Sequence, residues 1–314
     1  MRSSRLLAST AATLLTPLTL LAASTLAAQR LTVAERLGYP ADAKLLIVHA
    51  DDLGVAHSVN AASFDALDRG AVSSASVMMP TPWVTEVAAY VKAHPNADVG
   101  LHLTLTAEWD SYRWGSVAPT NAVPTLLDAD GTMWRATEQV AQCVSPAEAE
   151  REIRAQIDRA LALGIHPTHV DSHMGASFAT PALFAVYAKL AREYGLPFLA
   201  LHAAPGATPA PPFAADGLID AVVIAGPEVA RVKWKEFYLN AIATLKPGVT
   251  YLIVHLGHDD AELQAVTVNH EPYGSAWRAR DLDVVTSAEF RKAIQDNHVT
   301  VIGWRDLQKL SKQP

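Results

Sequence analysis

Four short segments of the sequence each carry an apolar run into carboxylate or imidazole side chains. "LLIVHADDLG" ends in Asp51 and Asp52, "VGLHLTL" contains His102, "THVDSHMG" contains His173, and "YLIVHLGHDD" contains His255. Two adjacent carboxylates repel each other, so they indicate a positive charge nearby. Any one of these motifs alone is usually a turn or a buried histidine, but the four together predict a catalytic site.

A divalent metal ion accounts for this combination of residues. One carboxylate and two imidazoles, with positions left open for water, are typical of a catalytic metal site. The sequence offers Asp52, His102 and His173 as ligands, and Asp51 as a base for metal-bound water. Spacing alone leaves open which of the two acids binds the metal. Mixed nitrogen and oxygen ligands favour magnesium or zinc and are also compatible with cobalt and nickel.

The elements that must position these residues read as alternating strands and helices. The predicted strands are residues 45–50, 74–79, 98–105, 168–172, 197–201, 218–224, 250–255 and 299–303. Between them lie helix signals, such as Ser145, Pro146 and Glu148 at the start of a segment that ends at Gly164. Repeated strand–helix units predict an α/β fold, a single-domain distorted (β/α) barrel of parallel strands. In such barrels the C-terminal ends of the strands share one rim, where catalytic groups collect.

The first 28 residues differ from the rest in composition. Arg2 and Arg5 precede a charge-free run of Leu, Ala, Thr and Ser, and small residues near position 28 suit signal-peptidase cleavage. We therefore expect a signal peptide at residues 1–28 and a barrel domain at residues 29–314. The protein is then secreted or periplasmic, with no stable membrane span after cleavage. The alternative is an uncleaved anchor, since about 20 apolar residues can span a bilayer.

Charge and cysteine content argue against nucleic-acid binding and against an intramolecular disulfide. The chain has 25 basic and 32 acidic residues, and cleavage of the signal peptide removes two arginines and no acid. A chain this acidic, without a cluster of Lys and Arg, is not expected to bind nucleic acid. Cys143 is the only cysteine, so the chain cannot form an intramolecular disulfide. The sequence leaves the oligomeric state open.

Taken together, the motifs resemble the YdjC-like carbohydrate deacetylases, a family that includes chitooligosaccharide deacetylase and is related to polysaccharide deacetylases. The resemblance rests on "VHADDLGVAHSVN", "AVSSASVMMP", "VGLHLTLT", "HVDSHMG", "VHLGH" and "RARDLDVVTS", in this order over nearly all of the mature chain. It implies a distorted (β/α) barrel and metal-dependent hydrolysis of an N-acetyl group on an amino sugar. It also implies that Asp52, His102 and His173 are the metal ligands. By the same resemblance, Asp51 is the general base and His255 is the general acid.

The resemblance also includes an arginine and shows two departures. Arg278 matches a family arginine near the C-terminus, where it can orient a carboxylate or contact the substrate. Family members often continue the "HxDSH" motif with further histidines, whereas Met174 and Gly175 follow His173 here, and the family's "HPG" is "HLG". These departures question whether His173 is a ligand, and they leave His258 as a spare candidate acid or ligand.

The loop that follows the third predicted strand supplies candidate substrate contacts. Trp109, Tyr112 and Trp114 can stack on a sugar ring or line an acyl pocket, and Arg113 can bind an anionic group. An alternative is that these aromatic residues pack a long loop onto the barrel. The sequence does not separate the two interpretations.

Four functions remain open from the sequence. The leading hypothesis is a hydrolase that removes acetyl groups from an N-acetylated saccharide. A metal-dependent esterase or amidase for another small acylated substrate would use the same residues. A non-catalytic barrel that binds envelope saccharides predicts a damaged metal triad or a lost base, whereas both are intact. A structural envelope protein with a buried histidine–aspartate network predicts no bound metal.

Overall fold

The computed structural model describes residues 31–203 and 210–311, in which parallel strands alternate with helices. The predicted signal peptide, residues 1–28, lies outside the described residues. The strands are β1 (Lys44–Leu53), β2 (Ser74–Val77), β3 (Val99–Leu103), β4 (Val170–Ser172), β5 (Leu201–His202), β6 (Phe213–Ala214), β7 (Ala221–Ile224), β8 (Gly248–His255) and β9 (Thr300–Val301). In this part of the chain, no helix has the length and apolar character needed to cross a membrane.

Eleven α-helices are present among these described residues. They are α1 (Val33–Arg36), α2 (His57–Asp68), α3 (Val84–Ala93), α4 (Thr137–Cys143), α5 (Pro146–Ala162), α6 (Pro181–Glu193), α7 (Trp234–Ala243), α8 (Ala261–Val266), α9 (Ser275–Val285), α10 (Ala288–Asp296) and α11 (Trp304–Ser311). Most of them follow a strand and return the chain to the start of the next one, as parallel pairing requires.

The main sheet closes into an irregular barrel. Its strand order is β4, β3, β2, β1, β8 and β7, all parallel, and β9 pairs with the first residues of β1. Single parallel bridges join Val170 to Phe198 and Leu201 to Ile219, so the segment around residues 198–201 lies between β4 and β7. The predicted strand at 197–201 is therefore mostly reduced to isolated bridges. This weak closure is the distortion, and the predicted distorted (β/α) barrel is confirmed.

Both faces of the central strand β1 are buried. Leu46 and Val48 belong to the large core that the strands form with the surrounding helices. Leu45 and Ile47 belong to a smaller core that includes residues of α1 and α11. Side chains alternate between the faces of a strand, so the row that begins at Leu45 and Ile47 continues to the polar residues at 49 and 51. The barrel interior thus changes from apolar to polar along β1.

The helix starts show where local sequence signals hold and where tertiary contacts replace them. Thr180 caps α6, since its side chain accepts a hydrogen bond from the Leu183 backbone nitrogen. Ser145 precedes α5 as predicted but makes no side-chain capping bond. The expected partner Glu148 instead accepts two hydrogen bonds from Thr125, both at 2.7 Å. The helix begins where these signals place it, but Ser145 and Glu148 do not cap it, because the Glu148 carboxylate binds Thr125 instead.

Candidate active site

Asp51 and Asp52 lie at the C-terminal end of β1, where the strand is irregular. The pairing with β2 shifts register between Ala50 and Leu53, and Asp52 has a φ of 71°, in the left-handed region. In a regular strand two consecutive side chains point to opposite faces. Here His102 Nε2 lies 3.7 Å from Asp51 Oδ2 and 3.3 Å from Asp52 Oδ1. The bulge brings both carboxylates to one imidazole, at a backbone strain of about 1–3 kcal/mol that is common at active sites.

The three predicted metal ligands converge on one point. Asp52 Oδ1 lies 3.3 Å from both His102 Nε2 and His173 Nδ1, and the three ligand atoms lie within 4.8 Å of one another. All three side chains are buried, and Asp52 Oδ1 has no hydrogen-bond partner among the described residues. A buried carboxylate oxygen without a donor, beside two imidazole nitrogens, fits a divalent cation with positions left open for water.

Each of these two imidazoles is held on its far side by a carboxylate. His102 donates from Nδ1 to Asp171 Oδ1 at 2.7 Å, and His173 donates from Nε2 to Glu108 Oε2 at 3.0 Å. A proton on the far nitrogen leaves a lone pair on the nitrogen that adjoins Asp52, and this form binds metals. Sequence reasoning assigned neither carboxylate this role. Asp171 had a signal in the "HVDSH" motif, whereas Glu108 lies in a loop without one.

An arginine holds the carboxylate ligand. Arg278, on α9, is buried; its Nη2 donates to Asp52 Oδ2 at 2.6 Å and its Nε donates to the Tyr273 carbonyl at 2.7 Å. The predicted contact of Arg278 with a carboxylate is thus present, and that carboxylate is Asp52. The guanidinium also lies 5.7 Å from the Trp109 ring. With these partners, Arg278 positions Asp52, whereas its contact with the substrate stays a prediction.

The electrostatics of the cluster favour a bound cation. Burial raises the pKa of Asp52, but Arg278 and the two histidines outweigh burial and hold that pKa well below its usual range. Burial lowers the pKa of His173, yet Glu108 and Asp52 raise it to about 9. Burial also lowers the pKa of His102, and the surrounding carboxylates raise it well above its usual value. The carboxylates therefore attract positive charge to this point, which is what a divalent ion supplies.

We expect Glu108→Gln to weaken divalent-metal binding about 10- to 100-fold while the protein stays folded. Glutamine has the same size, but it lacks the charge that pairs with His173 and orients its ring. Calorimetric titration of the metal-free protein measures the dissociation constant. Glu152→Gln is the matched control, because Glu152 is also buried but accepts hydrogen bonds from the Val117 and Ala118 backbone. Equal losses in both variants would contradict a specific role for Glu108.

His255, the predicted general acid, ends β8 beside Asp51. Its Nε2 lies 3.9 Å from Asp51 Oδ2. Its backbone N–H donates to Asp281 Oδ2 at 3.0 Å, and Asp281 Oδ1 accepts from Trp234 Nε1 and from the Tyr238 hydroxyl. Burial lowers the pKa of His255 to about 4, so its imidazole is neutral at pH 7. Asp281, which sequence reasoning missed, therefore fixes the backbone that carries His255.

The buried Asp281 carboxylate should make stability depend on pH. Burial raises the pKa of Asp281 to about 6, above the usual value of 3.8, although its hydrogen-bond donors act to lower it. The folded protein thus holds this proton more tightly than the unfolded chain, so the stabilisation is complete below pH ~4 and is lost as the pH rises through about 6. We expect the free energy of unfolding of wild type, relative to Asp281→Asn, to fall by up to ~3 kcal/mol between these limits.

Urea unfolding of both proteins at several pH values from 4 to 7.5 measures this difference. Asp283→Asn is the control, because Asp283 is exposed on the same helix and should show no comparable trend. A difference between wild type and Asp281→Asn that stays constant with pH would contradict the expectation.

Two of the four predicted substrate residues in the loop after β3 are buried. Trp109 and Trp114 are 2% and 5% exposed, and the Trp114 ring lies 6.2 Å from the His173 ring. Arg113 donates to the Ala107 and Met133 carbonyls and to Asp128. These contacts support the loop, and they argue against stacking on a sugar by the two indoles and against anion binding by Arg113. Tyr112 is only half-buried, and its hydroxyl donates to the Val55 carbonyl at 2.6 Å.

The departures from the family motifs lie outside the ligand cluster. Met174 is exposed, and it and Gly175 have φ values of 52° and 66°, so the chain turns sharply after His173. His173 itself reaches Asp52, and the cluster forms without further histidines. His258 is exposed, and its backbone N–H donates to the Ser58 carbonyl at 3.3 Å. The structure therefore does not bring His258 to the metal ligands.

Comparisons with known proteins show the family to which the chain is similar. A family model described as "YdjC-like protein" matches residues 45–296. A carbohydrate deacetylase from Thermus thermophilus is 30% identical over 288 residues, which cover 88% of this chain and 97% of the relative. A carbohydrate deacetylase from Brevibacillus brevis is 38% identical over 152 residues, which cover 48% of this chain and 57% of the relative. The predicted resemblance to this family is confirmed. The names of the relatives also confirm the expected class of enzyme, a carbohydrate deacetylase.

A solved structure supports the fold. The crystal structure of a protein from Enterococcus faecalis V583 matches with a TM-score of 0.70 at 24% identity. The match covers 84% of this chain and 99% of that protein, so the barrel and its surrounding helices are shared over nearly the whole described domain.

Proposed function

The chain belongs to the YdjC-like protein family, and from this premise we propose that it is a metal-dependent hydrolase that removes the acetyl group from an N-acetylated amino sugar or oligosaccharide. The observation that carries the proposal is the buried group of Asp52, His102 and His173, with a second carboxylate beside it. The relatives named carbohydrate deacetylase supply the substrate class. The predicted signal peptide adds secretion or a periplasmic location to the proposal.

Asp52, His102 and His173 would hold the divalent metal ion. When bound, the ion supplies a Lewis acid that polarises the acetyl carbonyl and makes water more acidic. The protein's part is to keep the three ligand atoms close together and to keep both imidazoles in the tautomer that presents a lone pair. The hydrogen bonds from the two imidazoles to Asp171 and Glu108 meet this second requirement.

Asp51 is the proposed general base. Its Oδ2 lies 3.7 Å from His102 Nε2, so the carboxylate adjoins the metal ligands. It is buried, which restricts the water that can reach it. A carboxylate in this place can take a proton from the attacking water while the new bond to the acetyl carbon forms, a contribution of about 10²- to 10⁴-fold in rate for general-base catalysis.

His255 is the proposed route of the proton to the leaving amine. Its imidazole is neutral at pH 7, so it does not start the reaction as a protonated acid. The proton taken from water by Asp51 must still reach the nitrogen when the carbon–nitrogen bond breaks. Asp51 Oδ2 lies 3.9 Å from His255 Nε2, so we assign His255 the transfer of this proton.

Acetate release tests the proposal. Purified protein is treated with a chelator and assayed on a panel of N-acetylated and O-acetylated sugars, before and after single divalent metals are added. We expect release from an N-acetylated sugar that stops with chelator and returns with one metal. Release from O-acetyl sugars alone would make the protein an esterase. Silence across the panel with stoichiometric metal would reject the substrate class, and silence without bound metal would reject the enzyme.

A further inference from the structure

His49 lies in the barrel interior between two carboxylates of the site. It is fully buried on β1, two residues before Asp51 and on the same face of the strand. Its Nε2 lies 3.2 Å from Asp51 Oδ1 and 3.1 Å from Asp171 Oδ2. Asp51 is the proposed base, and Asp171 orients the metal ligand His102. A single imidazole nitrogen therefore adjoins both halves of the proposed machinery.

The hydrogen bonds around His49 require a proton on Nε2. Ser76 donates its hydroxyl hydrogen to Asp171 Oδ2 at 3.0 Å, and the same Ser76 oxygen lies 3.0 Å from His49 Nε2. A hydroxyl has one hydrogen, so the Ser76 oxygen can only accept from His49. Ionised carboxylates at Asp51 and Asp171 also only accept. Nε2 thus donates in both the neutral and the charged form of the ring.

The other side of the ring fixes its orientation. Nδ1 lies 2.6 Å from Ser74 Oγ, a hydroxyl that can donate or accept as the ring requires. The Tyr251 ring lies 4.8 Å away, and the Tyr251 hydroxyl donates to Asp171 at 2.9 Å. His49 is therefore a rigid donor in a buried polar network rather than a side chain that merely fills the barrel.

We propose that His49 is a positioning residue that couples the base Asp51 to the metal ligand His102 through Asp171. With Asp51 Oδ1 beside His49, the other oxygen, Oδ2, is the one that adjoins His102 and His255. The same N–H donates to Ser76, whose hydroxyl in turn donates to Asp171 behind His102. Its positive end also lies between the two carboxylates and offsets their repulsion. The inference rests on the proposed function, which assigns the base and the ligand.

Two substitutions with matched size separate positioning from simple filling of space. His49→Gln keeps an N–H donor close to the place of Nε2, whereas His49→Leu removes the donor. We expect His49→Leu to lower kcat at least ~100-fold with KM within about threefold, and to weaken metal binding by calorimetry about 10- to 100-fold. His49→Gln should keep both quantities within ~10-fold of wild type. Equal losses in the two variants, or no loss in His49→Leu, would overturn the proposal.

A measurement on the wild-type protein covers the case in which His49→Leu does not fold. Long-range ¹H–¹⁵N correlation spectra of histidine-labelled protein report which ring nitrogens carry protons, and the His49 signals are those lost in His49→Gln. We expect a protonated Nε2 from pH 6 to 8, and a deprotonated Nε2 would overturn the proposal. If the wild type released no acetate, the proposed function would fail, whereas the spectra and the metal titration would still decide whether His49 positions the ligand His102.

Discussion

Asparagine in place of Asp51 is expected to lower kcat for acetate release about 10²- to 10⁴-fold while divalent metal stays bound. The substitution preserves the size of the side chain but removes its ability to take a proton from water. Asp51 adjoins the ligands without filling the point on which Asp52, His102 and His173 converge. Steady-state kinetics and calorimetric metal titration of the same preparation measure the two effects separately.

Asp52→Asn is the matched control, since it changes the same chemical group one residue away. Asp52 Oδ1 lies 3.3 Å from both ligand imidazoles, and Asp52 Oδ2 accepts from Arg278. We therefore expect Asp52→Asn to lose metal and activity together. The opposite pattern, with metal lost in Asp51→Asn and retained in Asp52→Asn, would show that the roles of the two acids are exchanged.

Motifs at strand ends were enough to predict which residues meet. The strands of this barrel are buried on both faces, so they appear in the sequence as apolar runs, and the polar residues that interrupt them stand out. Because the strands are parallel, the residues at the ends of β1, β3, β4 and β8 must share one rim. The shared rim is therefore enough to place Asp52, His102 and His173 close together.

The orientation of the two acids could not be predicted in this way. Strand alternation places Asp51 and Asp52 on opposite faces. Both side chains turn toward His102 only because of the register shift and the left-handed backbone at Asp52. An Asp–Asp pair in a sequence does not predict that conformation. Asparagine and aspartate tolerate it better than most residues, so the sequence permits the bulge without specifying it.

The partners of the ligand side chains could not be paired with them from the sequence, for another reason. Glu108 is 65 residues from His173, and Arg278 is 226 residues from Asp52, so no local spacing connects them. The resemblance suggested a carboxylate for Arg278 but not which one. The same limit applies to the aromatic loop. The sequence does not show whether Trp109 stacks on a sugar or is buried beside the Arg278 guanidinium, as the structure has it.

Alanine in place of His102 should produce the largest loss of metal, at least ~100-fold in affinity, and with it the loss of acetate release. The change removes one of three ligands, and it also leaves the Asp171 carboxylate without the imidazole that it holds at 2.7 Å. Loss of a ligand should weaken metal affinity by more than the 10- to 100-fold that is typical when only a hydrogen-bond partner of a ligand is removed. Metal content after dialysis and calorimetry measure the effect, and added imidazole should restore part of it.

Asp171→Asn makes the comparison quantitative, because it keeps the His102 ligand and changes the group that orients it. We expect a loss of metal affinity about 10- to 100-fold, between wild type and His102→Ala. An asparagine amide can present its NH₂ group to His102 Nδ1, which favours the tautomer with the proton on Nε2 and so blocks the lone pair that faces Asp52. Since that defect lies in the tautomer, raising the metal concentration should recover activity in Asp171→Asn more readily than in His102→Ala. Equal affinity in wild type and Asp171→Asn would show that the contact between Asp171 and His102 does not orient a metal ligand.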